Sequence, residues 1–273
     1  MNTFLDKTII ITGAGSGIGK GLAEAFGQQK AQLILLDINA ETVKAVCESV
    51  IAHGGKAEYD VLDVSNEART YEIWQYVAKK YGRIDYVFNN AGFGILGESE
   101  NVPTEQWLKI VNVNLMGVIY GSMEAFRIMK ANGGGYIINT ASLAGLIGAA
   151  GSLPYATTKT AVVGFSQSLR AEAAPFGVKV IAICPGFIET GIYENSWSEK
   201  MSGDKLRKSI RLPVISIEEA VEEILKGVIR NKQLIIFPRY GRTLYWMSRL
   251  FPSWYEKKQI KGMEGMRRYM NKK

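Results

Sequence analysis

The chain has 273 residues, 47% of them hydrophobic and 22% charged, the proportions of a globular protein with one sizeable core. Two cysteines, Cys47 and Cys184, exclude a disulfide framework, and the single histidine, His53, excludes both a Cys/His metal cluster and a Ser-His-Asp hydrolase, because Ala52-His53-Gly54-Gly55 reads as a surface turn. The net charge of +7 belongs to one end: residues 239–273 hold ten Lys/Arg against Glu256 and Glu264, a surplus of +8, so the rest carries −1 and any polyanion reading concerns the tail alone.

Residues 1–7 lack a positive segment followed by a long apolar run, and no apolar stretch reaches the ~20 residues of a spanning helix, so a cytoplasmic chain without a signal peptide is expected. Short apolar runs then alternate with helical patterns. Strand 8–12 precedes a helix over 17–29, strand 32–37 a helix over 40–52, and strand 57–61 a helix over 67–81. Strand 84–88 precedes one long helix over 103–131, strand 136–139 a helix over 154–174, and strand 179–183 a helix over 218–230, with strand 234–237 last. Strands without polar alternation are buried on both faces, and each connection is long enough for a crossover helix. The prediction is an α/β fold: one doubly wound, seven-stranded parallel sheet with helices on both faces, spanning residues 1–238. Ligands bind beyond the carboxyl ends of such strands, so function is sought in the residues that follow them.

After the first strand stands Thr12-Gly13-Ala14-Gly15-Ser16-Gly17-Ile18-Gly19, running into a helix. Glycines let backbone approach a pyrophosphate, and a helix start offers unpaired N–H groups to its charge. Asp37, at the end of the second strand, suits the hydroxyls of an adenosine ribose, the plainer alternative being that it caps the next helix. Pro154 suits the first turn of a helix with Ser152 as its cap, so Tyr155 and Lys159 share one helical face. An ammonium there favours the phenolate and lowers a phenol pKa that is otherwise about 10. Ser142, after the fifth strand, is placed to hold a substrate oxygen.

The spacing Gly13-x-x-x-Gly17-x-Gly19 resembles the short-chain dehydrogenase/reductase family. So do Asn89-Asn90-Ala91-Gly92, Asn114 within Val113-Asn114-Leu115-Met116-Gly117, Ser142, Tyr155-x-x-x-Lys159 and Pro185-Gly186, in family order over residues 5–238. The resemblance implies a Rossmann-type domain and a catalytic set of Asn114, Ser142, Tyr155 and Lys159. Tyr155 would be the general acid/base, and Lys159 would lower its pKa and bind the nicotinamide ribose. Ser142 would orient the substrate oxygen, and Asn114 would hold a water linking Lys159 to solvent. The implied cofactor contacts are Gly13, Ser16, Gly17, Ile18, Gly19, Asp37, Asp63, Val64, Asn90, Ala91, Gly92, Tyr155, Lys159, Pro185, Gly186, Ile188 and Thr190. Asp63 would touch adenine, Ile188 and Thr190 the carboxamide, and Asn90 would chiefly stabilise the sheet.

NAD is expected over NADP, since a carboxylate at Asp37 repels a 2′-phosphate and Ile38 supplies no cation; Lys20 is the one nearby positive charge. Phe93, Leu96, Leu146, Ile147, Phe187, Ile192, Tyr193, Trp197 and Met201 are candidate substrate contacts. Their apolar character predicts a hydrophobic secondary alcohol or ketone of steroid, retinoid or fatty-chain type. An NADP-dependent carbonyl reductase and a dinucleotide-binding scaffold without turnover stay open as alternatives. Residues 239–273 form a basic extension in which Leu244, Met247, Leu250 and Phe251 share one side of a helix, Arg242, Trp246 and Arg249 the other, and Pro252 ends it. Docking on the domain or another subunit competes with peripheral contact to an anionic membrane. No nucleic-acid motif accompanies the charge. A homodimer or homotetramer through the helices at 103–131 and 154–174 is implied by the resemblance, and no metal is expected.

Overall fold

Isoleucine, leucine and valine fill the strands because both faces of the sheet are covered. The computed structural model describes residues 3–190, 196–198 and 212–270. Strands β1 (Thr8–Thr12), β2 (Gln32–Asp37), β3 (Lys56–Val61), β4 (Tyr86–Asn89), β6 (Gly135–Thr140), β7 (Val178–Pro185) and β9 (Leu234–Phe237) form one parallel sheet in the order β3-β2-β1-β4-β6-β7-β9. Alternate side chains serve two cores. Ile9, Ile11, Leu33 and Leu35 pack with Leu22 and Phe26 of α1 (Gly17–Gln28) and Ile224 of α8 (Ile217–Ile229). Ile10, Ile34, Val87 and Ile137 pack on the other face with Trp74 of α3 (Glu67–Tyr81), Met129 of α5 (Gly117–Ala131) and Leu169 of α7 (Leu153–Ala173). The expectation of strands buried on both faces holds for β1 and β4 and fails for β3, which lies at the sheet edge with Tyr59 and Val61 exposed. Lys56, Glu58 and Asp60 alternate with Ala57, Tyr59 and Val61 along this strand, a polar alternation that β1 lacks.

The helix expected over 103–131 is divided. It comprises α4 (Thr104–Val111), a π turn over Asn112–Met116, and α5. A short pair, β5 (Ile95–Leu96) and β8 (Trp197–Ser198), and a one-turn helix α6 (Ala144–Ile147) lie outside the expected elements. His53 caps the C-terminus of α2 (Ala40–Ala52) and is exposed, its Nδ1 lying 2.8 Å from Ser49 O. Cys47 and Cys184 are buried free thiols.

In the extension, Pro252 ends one helix as expected and opens another: α9 (Arg239–Leu250) leads into α10 (Pro252–Met270). The apolar side predicted for α9 docks only in part, Leu244 and Met247 being half-buried. Gly241 is buried, within reach of Leu143 and Ile236, while Leu250 and Phe251 are 66% and 54% exposed. Close approach at Gly241 sets the rotation of the helix, and hydrophobic spacing alone does not. Among the described residues no helix is long and apolar enough to cross a membrane.

Candidate active site

The turn between β1 and α1 is built by steric necessity at two glycines. Gly13 has φ +66, and a methyl group there would meet the Ala91 backbone at 2.8 Å; at Gly19 it would lie 2.0 Å from Gly13 O. Asn90 ties this turn to the neighbouring strand ends. Its Nδ2 donates to Thr12 O at 3.2 Å and Gly13 O at 3.4 Å, its Oδ1 accepts from Thr140 Oγ1 at 3.2 Å, and its backbone N–H donates to Thr12 Oγ1 at 3.0 Å. Asn90 thus joins the turn to the ends of β1 and β6. Ser16 precedes α1 with extended backbone and no side-chain cap, and the first turn holds no carboxylate. The N–H groups there suit a phosphate.

Asp37 sits beside this turn. Its Oδ2 accepts from Gly15 N at 2.9 Å and its Oδ1 from Asn39 N at 3.0 Å. The cap of α2 is Asn39, which accepts from Glu41 N and Thr42 N, so the alternative role for Asp37 falls away. The glycine turn, the uncapped helix start and this carboxylate together suit a dinucleotide. The remaining contacts divide. Asp63 Oδ1 accepts from Ser65 N and Oγ, closing its own turn on the surface. Val64 is buried against Gly117, and Ile188 is 4% exposed and packs into the core beside α8. Any ligand contact by those two residues is therefore through backbone. Thr190 lies against Gly17, with its Cγ2 3.3 Å from where a methyl group there would stand.

The second half of the site gathers at the ends of β4, β6 and β7. Tyr155 is half-buried near the start of α7, beside Ser142, and packed with Phe93, Trp107 and Trp197 around Ile95 and Ile110. Ser142 is itself buried, and its Oγ accepts from Ala144 N at 3.2 Å. Lys159, 3% exposed, donates from Nζ to Thr140 O at 2.7 Å. Burial pulls the Lys159 ammonium down to about 8, against a small opposing effect of Cys184. Burial likewise pushes the Cys184 thiol up to about 12.

The expectation that Lys159 lowers the Tyr155 pKa is not what the structure shows. Nζ stands 5.7 Å from the centre of the Tyr155 ring. Burial raises the phenol above its ordinary value, and the opposing influence is the Ser142 hydroxyl. The Asn114 carboxamide is tied to backbone. Its Oδ1 accepts from Phe93 N at 3.0 Å and its Nδ2 donates to Phe93 O at 2.9 Å, from within the π turn. The group still belongs to the site: a methyl group at Gly92 would stand 2.9 Å from Asn114 Oδ1 and 3.4 Å from Lys159 Nζ. Ser152 makes no side-chain cap; its hydroxyl donates to Ile95 O at 2.7 Å, fastening β5 to the start of α7.

Several supporting residues escaped the motif reading. Thr12 Oγ1 accepts from Asn90 N and Ala91 N, and Thr140 supplies the carbonyl that holds Lys159. Beneath them Asn89, Ser122, Asn139 and Ser166 form a buried network, with Asn89 Nδ2 donating to Asn139 Oδ1 at 2.8 Å and Asn139 Nδ2 to Ser166 Oγ at 3.0 Å. A polar residue inside a buried strand, such as Asn139, is the signal that could have found it. From the extension, Tyr240 Oη accepts from Phe187 N at 3.0 Å, beside Pro185 and Gly186. Among the candidate substrate contacts, Phe93 and Trp197 adjoin Tyr155, whereas Leu146 packs toward Val162 and Val163. Ile192, Tyr193 and Met201 lie outside the described residues.

A family model described as short chain dehydrogenase matches residues 7–201. The protein named "Probable oxidoreductase EphD" of Mycobacterium tuberculosis (strain H37Rv) is 34% identical over 260 residues, covering 91% of this chain and 44% of that protein, so the chain spans less than half the length of that relative. Cyclohexanol dehydrogenase of Acinetobacter sp. (strain SE19) is 36% identical over 192 residues, 69% of this chain and 76% of the other. A short chain dehydrogenase/reductase from Burkholderia phymatum, solved in complex with NAD, matches with TM-score 0.82 at 26% identity, covering 89% of this chain and 93% of that one.

Proposed function

The chain belongs to the short-chain dehydrogenase/reductase family, and from that premise we propose that it is an NAD-dependent oxidoreductase interconverting a hydrophobic secondary alcohol and its ketone, with Tyr155 as general acid/base. The observation that carries this reading is the gathering of Tyr155, Ser142 and Lys159 at the carboxyl end of the sheet, with Lys159 one turn along the helix of Tyr155 and its Nζ 5.7 Å from the centre of that ring.

NAD, when bound, supplies the hydride chemistry that no side chain provides. The first-turn N–H groups of α1 would hold its pyrophosphate, and Asp37 would accept from the adenosine ribose hydroxyls. That carboxylate repels a 2′-phosphate, and the relative from Burkholderia phymatum binds NAD. In ketone reduction the Tyr155 phenol donates its proton to the substrate oxygen and becomes the phenolate, and in alcohol oxidation that phenolate takes the hydroxyl proton back. Ser142 Oγ orients that oxygen and stabilises charge on it. Lys159, anchored on Thr140 O by one of its three N–H donors, keeps two for the cofactor ribose. Asn114 acts as a positioning group that holds Phe93 and the π turn beside Lys159.

The substrate reading rests on the apolar wall around Tyr155, formed by Phe93, Trp107 and Trp197, and agrees with a relative that acts on cyclohexanol. The reacting groups lie within residues 1–238, and residues 239–273 buttress them through Tyr240. A homo-oligomer built on α5 and α7 in the cytoplasm completes the proposal. Absorbance of NADH across a panel of alcohols and ketones tests it. Lipophilic secondary alcohols should lead the panel; a lead by small polar polyols, or a tenfold preference for NADP, would remove the substrate or cofactor assignment.

A further inference from the structure

The extension is an ordered pair of helices. Helix α10 docks through Tyr255, Gln259, Met263 and Met266, which recur on one side. Gln259 Nε2 donates to Ile147 O at 3.1 Å, its Oε1 accepts from Ala150 N at 3.1 Å, and Arg267 pairs with Glu98 at 2.8 Å. Docking of that side fixes what the other presents.

On the outward side, Trp246, Leu250, Phe251 and Trp254 follow one another through the elbow between α9 and α10, at 60%, 66%, 54% and 41% exposure. Trp246 and Leu250 stand one turn apart on α9. Trp254, Lys257 and Lys261 recur at three- and four-residue steps on the face of α10 opposite its docked side. Arg249, Lys257, Lys258 and Lys261 pair with no carboxylate among the described residues, whereas Arg242, Arg267 and Arg268 do. Lys258 stands over the Trp254 ring at 5.4 Å and Arg249 over Tyr245 at 5.6 Å. Two indoles and two aliphatic or aromatic side chains, ringed by unpaired cations, suit a layer that is apolar inside and negatively charged at its surface. Glu256 is the one acid interleaved with Lys257 and Lys258.

We propose that the elbow of α9 and α10 docks on an anionic lipid surface, with Trp246, Leu250, Phe251 and Trp254 entering the headgroup layer and Arg249, Lys257, Lys258 and Lys261 meeting its charge. Neither helix crosses the layer. The occupant follows from charge complementarity: residues 239–273 carry a surplus of +8 against −1 for the rest of the chain, and within them Arg249, Lys257, Lys258 and Lys261 are exposed beside the apolar elbow. A second copy of the chain would bring the same positive face against itself.

The test uses the full chain in co-sedimentation with vesicles of phosphatidylcholine alone and of phosphatidylcholine mixed with phosphatidylglycerol. Binding should be at least about tenfold tighter to the mixed vesicles and should weaken with added salt. Two triple variants, Lys257→Glu/Lys258→Glu/Lys261→Glu and Trp246→Ser/Phe251→Ser/Trp254→Ser, should each lose about tenfold or more of that binding while keeping their far-ultraviolet circular dichroism. Absence of vesicle binding, equal binding to both vesicle types, or unchanged binding of either variant overturns the proposal. So does self-association of the wild type that the aromatic variant abolishes in the absence of lipid. Equal affinity for a single-stranded oligonucleotide that survives the aromatic substitutions would likewise assign the surface to a polyanion rather than a membrane.

Discussion

Lys159→Met should stabilise the folded chain near neutral pH while removing its activity. A buried lysine held at about 8 against an ordinary 10.5 destabilises the folded state by about 3 kcal/mol wherever both folded and unfolded chains keep the proton, at about 1.4 kcal/mol per pH unit. Methionine has nearly the same reach and no charge, so it removes that term. It also leaves Thr140 O without the donor now 2.7 Å away, a loss of about 1–2 kcal/mol. The net gain near pH 6.5 is about 1–2 kcal/mol. Between about 8 and 10.5 the unfolded lysine holds a proton that the folded one has released, so the wild type gains stability with rising pH and the variant does not. Cys184, pushed up to about 12 by burial, and Tyr155 titrate in both proteins and largely cancel in the difference. Urea unfolding of both proteins at about pH 6.5, 8 and 9.5 measures it, and the advantage of the variant should shrink by about 2 kcal/mol across that range. A difference that is constant with pH, or that grows, would refute the assignment of a destabilising buried ammonium.

Gly19→Ala places a methyl group 2.0 Å from Gly13 O and 2.8 Å from Asn90 Nδ2; urea unfolding should show a loss of about 3 kcal/mol, and a loss under about 1 would mean that the turn is not tightly closed. Asp37→Ser removes the carboxylate that accepts from Gly15 N; the ratio of kcat/KM for NAD over NADP should fall about tenfold or more, and an unchanged ratio would free Asp37 of its selective role. Tyr240→Phe deletes the acceptor of Phe187 N; thermal unfolding should show about 1 kcal/mol of destabilisation, with KM for NAD rising more than kcat falls. Equal effects on both constants would place Tyr240 in the chemistry instead.

The sheet was legible because its strands are apolar on both faces and its glycine turn precedes a helix. Tyr155 and Lys159 share a helix face by spacing alone, and the structure brings Ser142 to the same phenol. What escaped the sequence depends on partners far along the chain. No proline or glycine marks the π turn at Asn112–Met116, and the bonds of Asn114 to Phe93 exist only once β4 and α4 are side by side. Spacing reports the cation at Lys159 but not the burial of Tyr155, which raises its pKa. Ser152 stands where a cap would, yet Ile95 O, 57 residues away in sequence, takes its hydroxyl. In the extension, hydrophobic spacing marks Leu244, Met247, Leu250 and Phe251; the first two are half-buried, while Leu250 and Phe251 at the elbow are exposed and Gly241 makes the close approach.

Tyr155→Phe tests the central claim most directly, because it deletes one hydroxyl and little volume. NADH-linked turnover of a lipophilic secondary alcohol such as cyclohexanol should fall by about 10³-fold, while NADH binding followed by fluorescence stays within a few-fold of wild type. Turnover that survives the substitution would contradict the assignment of the phenol as the proton-transferring group.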